Sequence, residues 1–143
     1  MDLDFALLAD GVTERPDGKL DIYGAGFDSV IASQVPAIHQ RLVLAIRILV
    51  TRHEAEHGHR INVVLQGADG AELARAEGQL AALEEGQRAQ IPAGRHAGLG
   101  LILNFENVVF PAYGAYQFAI HWDGTEMREP LRVFVVEPPH PTV

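Results

Sequence analysis

The stretch Arg41-Leu42-Val43-Leu44-Ala45-Ile46-Arg47-Ile48-Leu49-Val50 decides the fold class. Leu42, Leu44, Ile46, Ile48 and Val50 recur at every second position, the spacing at which side chains share one face of a β-strand. On the opposite face Val43, Ala45 and Leu49 accompany Arg41 and Arg47. A strand apolar on both faces is covered on both, so this second face calls for another part of the chain or a second subunit.

The same period continues outward. Ile61, Val63 and Leu65 alternate after a short polar connection, and Asp69-Gly70 supplies the left-handed backbone of a tight hairpin. Tyr116, Phe118, Ile120 and Trp122 alternate before Asp123-Gly124, and Leu131, Val133 and Val135 close the pattern. Upstream, Leu3, Phe5 and Leu7 form an opening strand, and Pro16-Asp17-Gly18 turns the chain into Leu20 and Ile22. Gly24-Ala25-Gly26 reads as a bulge. With segments 27–32 and 99–105 the count reaches eight or nine strands. The expected fold is all-β: a single antiparallel β-sandwich, immunoglobulin-like or Greek-key-like. Its inner faces are expected to carry Phe5, Leu44, Ile46, Ile48, Val63, Leu101, Phe118, Ile120 and Val133.

Residues 71–85 pull the other way, because their helix formers place Leu73, Ala76, Leu80 and Leu83 at helical spacing. The Asp69-Gly70 hairpin signal, Gly78 and the need of the Ile61 strand for a partner favour a strand from Glu72 to about Gln79.

At 143 residues and 48% apolar composition the chain is one globular domain, expected over 1–137, with a proline-rich tail over 138–143. Its net charge is −8, and its ten arginines and single Lys19 are scattered, so no basic stripe suits a nucleic-acid backbone or an anionic membrane. The absence of cysteine excludes disulfides, thiolate metal sites and cysteine nucleophiles. The longest apolar run, Leu42 to Val50, contains Arg47 and is too short to span a membrane, and no secretion signal opens the chain. A cytoplasmic location is expected.

Gly114, Tyr116 and Phe118 follow Phe110-Pro111-Ala112-Tyr113 in the pattern of a tyrosine corner. There a tyrosine two residues before a core position bonds to backbone upstream. These three residues are structural and carry no chemistry.

With these residues in view, the chain resembles an uncharacterised bacterial family of short proteins classed as a domain of unknown function. The similarity rests on Asp4-Phe5-Ala6-Leu7-Leu8-Ala9-Asp10, Pro16-Asp17-Gly18-Lys19-Leu20, Gly24-Ala25-Gly26-Phe27-Asp28, Asn104-Phe105 and Phe110-Pro111. Pro36 with His39, Arg41-Leu42, His59-Arg60, Asp69-Gly70, Gly114 with Tyr116 and Phe118, and Asp123-Gly124 extend it. The resemblance implies a β-sandwich and brings no activity, substrate or catalytic residue; Phe27 stands where such sequences usually place tryptophan.

His53-Glu54-Ala55-Glu56-His57 fits H-E-x-x-H, and His59 follows. In a zinc hydrolase the two histidines bind one ion from successive helical turns while the glutamate activates water. That reading requires a helix from about 52 to 60, with His59 or a downstream glutamate such as Glu72 or Glu77 completing the shell. Only residues 52–59 separate two strands here, and the longer metalloprotease signature is missing, so the motif reads as a polar loop. His53, His57 and His59 remain the metal candidates. Scattered aspartates read as turn formers rather than a calcium cluster, and Asp28, Ser29 and His39 lack a nucleophile elbow.

With no catalytic site, metal or cofactor assigned, the first reading is a non-enzymatic binding or assembly module, contacting a protein partner or self-associating as a homo-oligomer. The alternative is the zinc-dependent hydrolase built on His53, Glu54 and His57. A third reading, a small-ligand carrier, requires Phe110, Tyr113, Tyr116 and Trp122 to line a cavity.

Overall fold

The computed structural model describes residues 2–126 and 130–139. The described chain is all-β, with eleven strands. They are β1 (Asp2–Ala9), β2 (Gly11–Glu14), β3 (Leu20–Tyr23), β4 (Ser29–Ile31), β5 (Ala37–Val50), β6 (His59–Gly67), β7 (Glu72–Leu80), β8 (Ala97–Phe110), β9 (Gly114–Trp122), β10 (Thr125–Glu126) and β11 (Leu131–Val136). A one-turn 3-10 segment covers Glu54–Glu56, and a short helix, α1, covers Glu85–Ala89. Glu72–Leu80 is a strand despite its helix formers, because pairing along β6 outweighs its weak local preference.

The strands form three sheets. A small sheet runs β1-β5-β8 and a large one β4-β11-β9-β6-β7, with β10 pairing β9; β2 and β3 make a separate hairpin. The edges β7 and β8 lie against each other, so the two larger sheets curl into a half-barrel. At this seam Gly78 lets the backbone of β7 approach Leu101 and Leu103; a Cβ there would come within 2.9 Å of Leu101. Residues 81–96, carrying α1, cross between the sheets and close one end of the core, where Leu83 N–H donates to the Ala55 carbonyl at 2.9 Å and Ile91 is buried.

Several sequence expectations change. Two strands more than expected are present, because Gly11–Glu14 offers only Val12 as an apolar residue and Thr125–Glu126 is too short for a period to show. The sheets are not wholly antiparallel: β4 runs parallel to β11, a pairing that needs no hairpin because the two lie far apart in sequence. Gly24-Ala25-Gly26 is a loop rather than a bulge, with φ of 60° at Gly24 and 87° at Gly26, and Gly26 N–H donates to the Leu8 carbonyl.

Leu44, Ile46, Ile48, Val63, Phe118, Ile120 and Val133 are buried in the main core, and Leu101 packs half-buried at its margin. Phe5 does not join them. The register of β1 slips between Leu3 and Phe5, and one extra residue moves the following side chains to the other face. Phe5 therefore packs with Ala9, Val12, Leu20, Ile22 and Ile102 over Val43 and Ala45. The second apolar face of β5 is thus covered by the chain's own β2–β3 hairpin.

A second break lies at Gln40 and Asn107, the latter at φ 51°. Before it Leu103 and Phe105 point inward on β8; after it Val108 and Phe110 do. The outward residues beyond this kink are Ile38 and Val109, which face each other across β5 and β8.

Candidate functional site

The H-E-x-x-H segment forms one turn in place of the helix from 52 to 60 that zinc chemistry requires, and His57 is already extended. The local cause is a reciprocal cap. Glu54 Oε1 accepts the Thr51 N–H at 2.9 Å, and Thr51 Oγ1 accepts the Glu54 N–H at 3.1 Å, the T-x-x-E arrangement that starts a helical turn. Glu54 is therefore tied to backbone rather than aimed at a water. His53 and His57 are exposed, with ring centroids 6.4 Å apart.

His59 turns inward. Its Nδ1 lies 2.8 Å from Asp123 Oδ2 and its Nε2 2.6 Å from the Glu54 carbonyl oxygen. Both partners are acceptors, so full satisfaction requires both ring nitrogens to donate, which is the imidazolium form. Burial disfavours that charge, but the bonds to Asp123 and Glu54 and the field of their carboxylates hold the His59 pKa above its usual value. The bond from His59, with that from the Arg60 N–H at 2.9 Å, holds Asp123 below the ordinary carboxylate range. The ring also packs on Trp122 at 4.6 Å. With both nitrogens held against acceptors, the ring turns neither of them outward to a metal beside His53 and His57. Among the described residues no three histidine, aspartate or glutamate side chains gather as a metal site. Glu72 pairs with Arg75 at 2.5 Å, and Glu77 lies on the outer face of β7.

The other candidates are also placed. Tyr116 Oη donates to the Ala112 carbonyl at 2.6 Å and accepts the Ala112 N–H at 3.2 Å. Gly114, at φ 132°, opens β9, and Phe118 is buried against Phe105 at 5.3 Å. Phe110 and Tyr116 pack edge to face at 4.9 Å inside the core, Trp122 is buried, and Tyr113 donates to the Ala32 carbonyl at 2.9 Å. These aromatics build the core instead of lining a cavity, which removes the carrier reading. Asp17 and Asp69 each accept a backbone N–H in a turn. Ser29 bonds Asp28 at 3.3 Å, while His39 lies opposite Val108 in the other sheet.

Two surfaces stand out that sequence reasoning missed. One is apolar. Ile31 and Ile38, 64% and 67% exposed, line one groove of about 390 Å³ together with Pro36. Val136 pairs with Ile31 and Val109 with Ile38, and Phe134 continues the row on β11. The strip lies beside β4, an edge strand. The second surface is a polar groove of about 1140 Å³ on the outer face of β6, β7 and β9, ending at His59 and Asp123. Period two does mark its residues as outward, but only the pairing of the three strands brings them together.

The comparison with known families matches residues 4–134 to DUF6941, a family of unknown function. The chain belongs to that family. No curated protein matches it. Among the described residues no helix is long and apolar enough to cross a membrane.

Proposed function

We propose that the protein is a non-enzymatic assembly module that docks a protein partner, in the first instance a second copy of itself, through the strip Phe134, Val136, Ile31, Ile38 and Val109. The observation that carries this reading is the pair Ile31 and Ile38, two large aliphatic side chains about two-thirds exposed on one groove. Single exposed apolar residues are ordinary, whereas a contiguous row next to an open strand edge is the geometry of a protein interface. An isologous contact would place β4 of each copy beside the other and bury both rows. In this reading the domain expected over 1–137 is a sandwich-like scaffold with Greek-key-like connections and the setting is the bacterial cytoplasm; of the tail expected over 138–143, residues 140–143 lie outside the described residues.

Light scattering over a dilution series tests it. The wild type should dimerise, and more readily as salt screens the net charge of −8. Ile38→Asp should be monomeric at every concentration while keeping the wild-type circular dichroism spectrum. A wild type that stays monomeric throughout overturns self-assembly.

A further inference from the structure

Independently of the apolar strip, we propose that the groove over β6, β7 and β9 binds a small zwitterion, a ligand of amino-acid or short-peptide size that carries both a carboxylate and a protonated amine. The pairing of the strands sets the groups in rows. Asn62 stands directly opposite Glu77 on β7 and opposite His121 on β9, so Glu77, Asn62 and His121 form one row. In the adjoining row Arg60 stands opposite Gln79. Arg60 and Glu77 are thus diagonal neighbours, with Cβ atoms about 7 Å apart by general sheet geometry.

Opposite charges at that spacing could pair with each other, yet they do not. Among the described residues the Arg60 guanidinium makes no hydrogen bond or ion pair, and neither does the Glu77 carboxylate. Between them Asn62 Oδ1 is buried without a hydrogen-bond partner. A buried acceptor left alone costs free energy unless a donor reaches it. The groove therefore offers a cation for a carboxylate and an anion for an ammonium group, and a turn of the Asn62 amide would bring its orphaned acceptor to the same ammonium. That polarity separates a zwitterion from other occupants. A simple anion would leave Glu77 and Asn62 Oδ1 without donors. A sugar face would lack an aromatic platform, because Trp122 is buried beneath the sheet. Nearby, Asp123 is engaged by His59, and Arg75 bonds Glu72 while its charge also acts on Glu77, so a ligand ammonium must displace that longer-range attraction to reach Glu77.

The test is an NMR titration of the ¹⁵N-labelled full chain with glycylglycine, beside N-acetyl-glycylglycine, which lacks the ammonium, and glycylglycinamide, which lacks the carboxylate. Glycylglycine should give saturable shifts centred on the amides of Arg60, Asn62 and His121, and each capped probe should bind about tenfold more weakly. Arg60→Gln should abolish the difference between glycylglycine and glycylglycinamide. Glu77→Gln should abolish the difference between glycylglycine and the acetylated probe. Both side chains are exposed, so these variants keep the fold, and an unchanged spectrum elsewhere verifies it. Absence of saturable shifts with glycylglycine, or equal shifts from all three probes, overturns the proposal.

Discussion

The imidazole of His59 and the carboxylate of Asp123 meet at 2.8 Å, joining the start of β6 to the turn that follows β9. Because the other ring nitrogen reaches the Glu54 carbonyl, one side chain ties together the histidine loop and two strands of the large sheet.

This clip makes stability depend on pH. The His59 pKa is raised in the folded state, so its contribution is fully present below the unfolded histidine value of about 6.5 and is lost as pH rises through the higher folded value. Asp123 is lowered, so its contribution is present above the unfolded carboxylate value and is lost as pH falls through the folded one. Asp123 is half exposed, which limits the pair to about 1 kcal/mol, or about 3–4 °C in Tm. Calorimetry from mildly acidic to alkaline pH should show this loss in wild type and its absence in His59→Gln. Parallel curves for the two proteins would refute the clip.

The histidine loop should be indifferent to zinc. Chelator and excess zinc are expected to leave Tm unchanged, since both His59 nitrogens are held by Asp123 and the Glu54 carbonyl and Glu54 caps a turn. Glu54→Gln weakens that cap and should lower stability by about 1 kcal/mol with or without metal. A midpoint that falls with chelator and returns with zinc would revive the hydrolase reading.

Tyr116→Phe removes two bonds to Ala112 while keeping the ring against Phe110. The expected cost is about 1 kcal/mol, read by urea denaturation with an unchanged m-value. An unaltered midpoint would mean that water satisfies Ala112 equally well.

Much of the fold was legible because burial writes a period of two wherever a strand is straight, as from Leu42 to Val50 and from Tyr116 to Trp122. It was illegible where the backbone changes phase. The slip between Leu3 and Phe5 and the kink at Gln40 and Asn107 each move later side chains to the opposite face. No local composition announces either event. The polar groove was hidden for a different reason: residues 62, 77 and 121 become neighbours only through long-range pairing. The metal motif, conversely, was visible in spacing and had no helix to support it.

Gly78→Val tests the seam between β7 and β8. An added Cβ would approach Leu101 Cδ2 to 2.9 Å and Leu103 Cδ2 to 3.2 Å. Alanine displaces only flexible leucine ends, whereas the branched valine should cost about 1–3 kcal/mol by overpacking, measured in the same urea series. Equal stability of Gly78→Ala and Gly78→Val would show that the seam is loose.

Leu42, Val43, Leu44, Ala45 and Ile46 are consecutive residues with 0% exposure, enclosed by the large sheet on one side and the β2–β3 hairpin on the other. Their amides lie in the plane of the sheet between β1 and β8, so water reaches them only after a flanking strand separates. The centre of β5 should therefore be the slowest segment to exchange its amide hydrogens for deuterium, opening only with global unfolding. The short edge strand β4 should exchange early, which would leave the proposed docking strip free to adjust while the middle of the protein stays closed.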